Sequence, residues 1–307
     1  MKVERVVLAR PRGFCAGVER ALAILESLLE RVPGDIYVFH EIVHNGVLIE
    51  GFQCRGVHFV NDLSDVPEGQ VCVFSAHGVS PEIERMAKAR NLRVFDATCP
   101  LVTKVHEEAR MFSKRGFRVV LIGHKGHEEV EGTMGYAPMH LVSTPGEVCA
   151  LPFGEKEKVA YLTQTTLSLD DTEKVLEVLR ARFQDLEGPK KDDICYATTN
   201  RQMAVKALSK VSDIVFVVGS KNSSNSQRLG EVARAEGVPA FVVDGADSIK
   251  PWMFENAKVV GISAGASAPE MLVSGIAGYF RSLGAKSIEE LGVAEEFMTF
   301  KLPKIPT

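Results

Sequence analysis

Three of the six cysteines stand at matching places along the chain and could together hold a metal. Cys15, Cys99 and Cys195 are separated by 84 and 96 residues, and each lies between an apolar run and a predicted helix. The N-terminal end of a helix favours the thiolate form of a cysteine. Three thiolates at one point repel one another unless a cation holds them, so zinc and an iron–sulfur cluster are the candidates.

The cysteine spacing leaves more than one interpretation open. Structural zinc sites usually use a Cys-x-x-Cys pair, which this chain lacks, whereas a cluster with three cysteine ligands leaves one iron open to substrate. The alternative is that all six thiols are small buried side chains. That simpler interpretation is favoured for Cys54, Cys72 and Cys149, which have no counterparts elsewhere in the chain, and Cys72 is predicted to be a core thiol.

Polar residues recur in the same register after each cysteine. One group follows about 28 residues later, and a second follows 62 to 72 residues later. The first comprises His44, His127, Ser223, Ser224 and Asn225, and the second comprises His77, Thr165 and Ser267. Most are neutral donors that precede predicted helices, which suits a phosphate or diphosphate. Any one of the histidines alone is more simply interpreted as an ordinary core or surface residue.

Glu129 is the carboxylate most suited to chemistry. It lies two residues after His127, in a predicted acidic loop with Glu128 and Glu131. A glutamate near a metal and an anion site is a natural proton donor. The alternative is a solvated acidic loop with no catalytic role.

The elements that must position these residues alternate between strand and helix along the whole chain. Short runs rich in Val and Ile fit buried parallel strands. Ser80, Ser168 and Ser226 are predicted helix N-caps. Ligand sites in open α/β sheets lie at the carboxyl ends of strands. Three such units around one axis would therefore direct the three cysteines and the polar residues at one central point.

The repeat predicts an α/β protein with three pseudo-equivalent lobes. We place lobe 1, with the N-terminal strand, at residues 1–98, lobe 2 at 99–194 and lobe 3 at 195–283. Residues 284–307 break the pattern, and we predict a C-terminal tail that crosses back over another lobe. That tail includes a predicted strand over 297–302.

Composition excludes several classes of function. The 307 residues carry a formal charge of −4, which disfavours a polybasic nucleic-acid binder. The longest stretch without a charged residue, 132–146, is too short to span a bilayer, and the N-terminus lacks a signal-peptide pattern. We therefore expect a cytoplasmic protein with neither a nucleic-acid nor a membrane partner. The chain also lacks G-x-G-x-x-G and P-loop motifs, so a redox enzyme of this sequence would need a separate electron carrier.

At these residues the sequence closely resembles the 4-hydroxy-3-methylbut-2-enyl diphosphate reductases, which complete the methylerythritol phosphate route to isoprenoids. The resemblance covers nearly the whole chain. The stretches that carry it include Pro-Arg-Gly-Phe-Cys-Ala-Gly-Val from Pro11, His-Glu-Ile-Val-His-Asn from His40, Phe-Ser-Ala-His-Gly-Val-Ser from Phe74, Phe-Asp-Ala-Thr-Cys-Pro from Phe95, Glu-Val-Glu-Gly-Thr-Met-Gly from Glu129, Thr-Gln-Thr-Thr-Leu-Ser from Thr163, Asp-Asp-Ile-Cys-Tyr from Asp192, Gly-Ser-Lys-Asn-Ser-Ser-Asn-Ser from Gly219 and Ala-Gly-Ala-Ser-Ala-Pro from Ala264.

The resemblance implies a trefoil of three lobes around a central [4Fe-4S] cluster with one iron open to substrate. Its ligands would be Cys15, Cys99 and Cys195. The residues that would bind the diphosphate substrate are His44, His77, His127, Thr165, Ser223, Ser224, Asn225 and Ser267. Glu129 would supply a proton, with Thr165 and His127 as the other catalytic residues.

The implied reaction is a reductive dehydroxylation that consumes two electrons and two protons. It yields isopentenyl and dimethylallyl diphosphates and water, with electrons from a protein such as ferredoxin or flavodoxin. Two alternatives remain at this stage. A non-redox [4Fe-4S] enzyme of the hydratase/dehydratase type would turn over without an electron donor, and a metal- or phosphate-binding scaffold would not turn over at all.

Overall fold

The computed structural model describes residues 3–304, which form thirteen strands and ten α-helices. The strands are β1 (Arg5–Arg10), β2 (Ile36–Phe39), β3 (Val57–Val60), β4 (Val71–Phe74), β5 (Arg93–Asp96), β6 (Arg118–Ile122), β7 (Met139–Val142), β8 (Lys158–Thr163), β9 (Asp185–Glu187), β10 (Ile214–Val218), β11 (Ala240–Val243), β12 (Val259–Ala264) and β13 (Ser287–Gly292). The helices are α1 (Ala16–Arg31), α2 (Gly46–Gln53), α3 (Pro81–Ala89), α4 (Pro100–Lys114), α5 (Glu128–Met134), α6 (Pro145–Cys149), α7 (Leu169–Arg182), α8 (Tyr196–Ser209), α9 (Ser224–Ala235) and α10 (Glu270–Ser282).

The strands form three sheets, and every strand pairing is parallel. Two sheets have four strands, in the orders β3-β2-β4-β5 and β7-β6-β8-β9. The third has five, in the order β11-β10-β12-β1-β13. The first four strands of the third sheet repeat the arrangement of the other two. The predicted α/β class with three repeated units is therefore confirmed.

The described chain divides into two compact units. The first comprises residues 3–16, 44–46 and 196–298 and holds the five-stranded sheet. The second comprises residues 17–43, 47–195 and 299–304 and holds both four-stranded sheets. None of the helices within residues 3–304 combines the length and apolar character needed to cross a bilayer.

The N-terminal strand β1 belongs to the third sheet, although the sequence analysis placed it at the start of lobe 1. It hydrogen-bonds to β12 on one side and to β13 on the other. Its alternate residues pack on opposite faces of that sheet, Val6 with Phe216 and Val7 with Leu208. The limits at 98, 194 and 283 otherwise stay a prediction.

Buried strands explain the runs rich in Val and Ile. Every residue of β4 and of β10 is buried, as expected of parallel strands covered on both faces. In the second four-stranded sheet, Val120 and Ile122 pack in one core while Val119 and Leu121 pack in another. Both faces of that sheet are therefore occupied, which leaves its strand ends as the place where polar residues collect.

Three local predictions require correction. Ser80 and Ser168 are N-caps as predicted, but α9 is capped by Ser223, whose hydroxyl accepts from the Ser226 N–H. Glu129 lies in the first turn of α5 and not in a loop. Residues 297–302 form no strand, because no neighbouring strand hydrogen-bonds to them. Residues 305–307, where the predicted tail ends, lie outside the described residues.

Candidate active site

Each of the three predicted cysteine ligands donates an equivalent backbone hydrogen bond. The Cys99 N–H donates to the Ala76 carbonyl at 3.0 Å, and the Cys195 N–H donates to the Thr165 carbonyl at 3.1 Å. Those two bonds lie in the second unit. In the first unit, the Cys15 N–H donates to the Ala266 carbonyl at 3.3 Å. Each acceptor lies just after the third strand of a repeat, β4, β8 or β12. The register found in the sequence therefore corresponds to one recurring turn.

Each of these turns leads directly into a long helix. Cys99 is the N-cap of α4, followed by Pro100 at the first helical position, and its side chain makes no capping hydrogen bond. The helix after Cys15 begins at Ala16, and the helix after Cys195 begins at Tyr196. The dipole of a helix and its terminal N–H groups favour negative charge at this end. The three turns are thus suited to thiolates.

The remaining cysteines lie in different surroundings. Cys72 is fully buried in β4, and burial raises the pKa of its thiol to about 12. The prediction of a core thiol is therefore confirmed. Cys54 and Cys149 are exposed, so the expectation of buried thiols was wrong for these two residues. None of the six cysteines forms a disulfide.

Glu129 and Thr165 form a buried pair. The Thr165 N–H donates to Glu129 Oε1 at 2.6 Å, and the Thr165 hydroxyl donates to Oε2 at 2.8 Å. The Glu129 N–H in turn donates to Nδ1 of His127, the N-cap of α5. Burial raises the pKa of the Glu129 carboxyl to about 7, although the two bonds from Thr165 oppose the shift. The three predicted catalytic residues therefore meet around a carboxyl group that can carry a proton near neutral pH.

His77 contacts a carboxylate that the sequence analysis assigned to a loop. Its Nδ1 lies 2.8 Å from Glu128 Oε2, and His40 Nδ1 lies 3.8 Å from the other oxygen of Glu128. The rings of His77 and His127 meet edge to face, with centroids 5.9 Å apart. Glu128 therefore helps to orient His77. No local signal identified this contact, because the two residues are far apart in sequence.

The loop that carries His77 packs tightly against two helices. Gly78 has a φ of +78°, and a Cβ there would lie 2.8 Å from Cε1 of His106 on α4. A Cβ on Gly132 of α5 would lie 3.2 Å from the Gly78 carbonyl oxygen. His106 is buried and stacks on Tyr136 with ring centroids 4.0 Å apart, and burial lowers its pKa to about 4. His106 is not among the candidate residues selected from the sequence, and its contribution is to support this loop.

In the first unit, the N-terminus of α9 lies close to the ends of β10 and β12. A Cβ on Gly219 or on Gly265 would lie 2.1 Å from the Ser226 hydroxyl, so only glycine permits this approach. Asn225 is 5% exposed, and neither polar atom of its amide has a hydrogen-bond partner among residues 3–304. Buried amides without partners are costly. The buried amide of Asn225 therefore has one donor and one acceptor group unused by residues 3–304, and its role in an anion site stays a prediction.

Ser267 lies after β12 in the same unit. Its hydroxyl donates to the His44 carbonyl at 3.0 Å, which links two of the predicted diphosphate-binding residues. The predicted residues thus fall into two groups by unit. The first unit contains Cys15, His44, Ser223, Ser224, Asn225 and Ser267, and the second contains His77, Cys99, His127, Glu129, Thr165 and Cys195.

Comparison with known proteins shows the family to which the chain belongs. The family model described as LytB protein matches residues 6–281. The chain belongs to the LytB family. A LytB relative from Aromatoleum aromaticum, named 4-hydroxy-3-methylbut-2-enyl diphosphate reductase, is 52% identical over 99% of this chain and 98% of its own length. A relative of the same name from Azoarcus sp. is 51% identical, with the same coverage.

Two solved structures share the LytB fold. The E-1-hydroxy-2-methyl-but-2-enyl-4-diphosphate reductase from Plasmodium falciparum is 36% identical, with a TM-score of 0.93 over 99% of this chain and 96% of that one. A second structure is described as (E)-4-hydroxy-3-methyl-but-2-enyl diphosphate reductase, the terminal enzyme of the non-mevalonate pathway. It is 31% identical, with a TM-score of 0.65 over 91% of this chain and all of that one. The resemblance found in the sequence is therefore confirmed at the level of fold and family.

Proposed function

We propose that the chain is a 4-hydroxy-3-methylbut-2-enyl diphosphate reductase. It converts this substrate, two electrons and two protons to isopentenyl or dimethylallyl diphosphate and water. The observation that carries the proposal is the buried Glu129–Thr165 pair, in a chain whose near-full-length relatives bear this name. A carboxyl group with a pKa of about 7 is the acid that the loss of a hydroxyl group requires.

The proton reaches the substrate hydroxyl from Glu129. Hydroxide is a poor leaving group, so the C–O bond breaks more readily when the oxygen departs as water. Thr165 can relay this proton because its hydroxyl both donates and accepts, and it lies 2.8 Å from the Glu129 carboxyl. His127 holds the first turn of α5 through its bond to the Glu129 N–H, and so fixes the direction of the carboxyl.

The three protein ligands of a [4Fe-4S] cluster would be Cys15, Cys99 and Cys195, whose surroundings suit this role. Support comes from the equivalent backbone hydrogen bond at each of the three turns and from the position of each cysteine at a helix N-terminus. None of the three forms a disulfide. Thiolates are the usual protein ligands of such clusters. When bound, the cluster supplies electrons to the substrate and a Lewis-acidic iron that has no cysteine ligand.

The diphosphate is bound by the neutral and histidine donors at the strand ends. The residues assigned to it are His44, His77, His127, Thr165, Ser223, Ser224, Asn225 and Ser267. The unpartnered amide of Asn225 and the N-terminal turn of α9 support this assignment, because both suit an anion. The electrons come from an external cytoplasmic protein such as ferredoxin or flavodoxin.

The test is purification without oxygen, followed by iron and sulfide analysis and an assay with a chemical reductant. We expect iron and sulfide in equal amounts and turnover that depends on the reductant. Turnover without reductant would instead indicate a hydratase-type enzyme. A protein with neither cluster nor turnover would be a scaffold, and either result would contradict the proposal.

A further inference from the structure

Each helix that follows a proposed cysteine ligand carries one basic side chain that contacts the chain just before the next such cysteine. The three side chains are Arg20 on α1, Lys104 on α4 and Arg201 on α8. They lie five, five and six residues after their cysteines. Their contacts run in cyclic order, from the Cys15 helix to the Cys99 turn, then to the Cys195 turn, and from the Cys195 helix back to the Cys15 turn.

Arg20 contacts the residue before Cys99. Its Nη1 donates to the Thr98 carbonyl at 2.9 Å, and its Nε donates to the Lys301 carbonyl at 3.2 Å. Both partners are main-chain carbonyls, so an uncharged side chain of similar length would remove the contacts without leaving a buried carboxylate unpaired. Arg20 therefore links α1 to the Cys99 turn.

Lys104 links α4 to the chain just before Cys195. Its ammonium lies 2.6 Å from Asp193 Oδ1 and donates to the Lys191 carbonyl at 2.7 Å. The Asp193 side chain is 0% exposed, and its second oxygen accepts from the Thr163 N–H at 3.1 Å. The segment two residues before Cys195 is thus held between α4 and the end of β8.

Arg201 completes the cycle at the Cys15 turn. Its side chain is 0% exposed, and it donates to the Gly13 carbonyl at 2.7 Å and to the Phe14 carbonyl at 3.1 Å. It also contacts Glu296 at 3.0 Å. Burying a guanidinium is unfavourable unless its donors are satisfied. Here most of the guanidinium N–H groups donate to the carbonyls of Gly13 and Phe14, the two residues that precede Cys15.

We propose that Arg20, Lys104 and Arg201 are positioning residues that hold the three cysteine turns in the geometry that cluster binding needs. The inference rests on the proposed function, because it takes Cys15, Cys99 and Cys195 as the ligands. Groups behind metal ligands fix ligand orientation, and their loss typically weakens metal binding about 10- to 100-fold. A cluster with only three protein ligands depends strongly on each of them, so a loosened turn should release it faster.

The experiment measures the rate at which an anaerobically loaded protein loses its cluster absorbance to excess iron chelator. We expect Arg20→Met and Lys104→Met to lose the cluster about 10- to 100-fold faster than wild type. Matched controls are Arg31→Met on α1 and Lys114→Met on α4, which are exposed and should stay within about twofold of wild type. Arg20→Lys should lose the cluster more slowly than Arg20→Met, because a lysine side chain retains a hydrogen-bond donor.

Two further measurements separate positioning from general stability. The electron paramagnetic resonance spectrum of the reduced cluster should change in Arg20→Met, while the melting temperature of the cluster-free protein stays close to that of wild type. Wild-type release rates and spectra in both Met variants would overturn the inference, as would equal acceleration in the exposed controls. A wild-type protein that contains no iron would instead overturn the proposed function itself.

Discussion

At the scale of single residues, the candidate chemistry depends on one buried carboxyl group. Glu129 could be selected from the sequence because it lies two residues after His127, which shares with Thr165 the register set by the cysteines. The contact of Glu128 with His77 and those of His106 with Gly78 and Tyr136 were not predictable, because they join residues that no periodic pattern connects. The raised pKa of Glu129 could not be derived from sequence either, since it follows from burial.

Replacing Glu129 by Gln should retain the size of the side chain and remove the acid. We expect turnover to fall about 10²- to 10⁴-fold, the usual contribution of a general acid, with cluster content unchanged. Glu131→Gln is the control, because Glu131 is an exposed carboxylate on the same helix. Steady-state assays at saturating reductant measure both. Turnover of Glu129→Gln within a few-fold of wild type would assign the acid to another group.

The pH dependence of turnover should report the Glu129 carboxyl. Its pKa is raised to about 7, so the protonated form that donates is abundant below that pH and is lost above it. We expect turnover at saturating substrate to fall as pH rises from about 6.5 to 8.5. A rate that stays flat to pH 9, with reductant in excess, would contradict this role.

His106 should make the protein less stable in mild acid. Burial lowers the pKa of its imidazole to about 4, while an unfolded chain takes up this proton near pH 6.5. The folded state therefore loses stability as pH falls from 6.5 to 4. His106→Phe keeps a ring against Tyr136 and removes the titration, so its melting temperature should fall less over this range. Equal slopes for the two proteins would show that another group is responsible.

At the scale of elements, recurring strand-to-helix turns position the site. The strands were predictable because parallel strands covered on both faces are continuous runs of Val and Ile. The strand predicted at 297–302 was wrong, because this segment contains no Val or Ile and no strand edge pairs with it. In that segment the Lys301 carbonyl accepts from the Arg20 side chain.

The packing of the His77 loop on α4 and α5 should make Gly78 hard to replace. Gly78→Ala adds a methyl group 2.8 Å from His106 at a φ of +78°, whereas Gly126→Ala adds one in open space at a φ of +82°. We expect Gly126→Ala to cost about 1 kcal/mol of unfolding free energy, from backbone strain alone. Gly78→Ala should cost clearly more, since crowding adds about 1–3 kcal/mol. Urea unfolding of the two variants tests this, and equal losses would show that crowding is unimportant.

At the scale of the whole chain, one strand order is used three times. The threefold repeat in the sequence predicted three equivalent units but not their strand order. In the structure each of the three cysteines follows the fourth strand of a sheet. The repeat could not show that the fourth strand of the third sheet comes from the N-terminus. That choice depends on pairing between β1 and β12, which are more than 240 residues apart in sequence.

The repeat carries the central claim, which is that Cys15, Cys99 and Cys195 bind one cluster while the other three cysteines do not. Iron and sulfide content of the six single Cys→Ser variants, purified without oxygen, tests it most directly. We expect Cys15→Ser, Cys99→Ser and Cys195→Ser to lose most of their iron. Cys54→Ser, Cys72→Ser and Cys149→Ser should retain the wild-type content, because Cys54 and Cys149 are exposed and Cys72 lies within β4. Full iron content in Cys99→Ser, or loss of iron in Cys149→Ser, would contradict the claim.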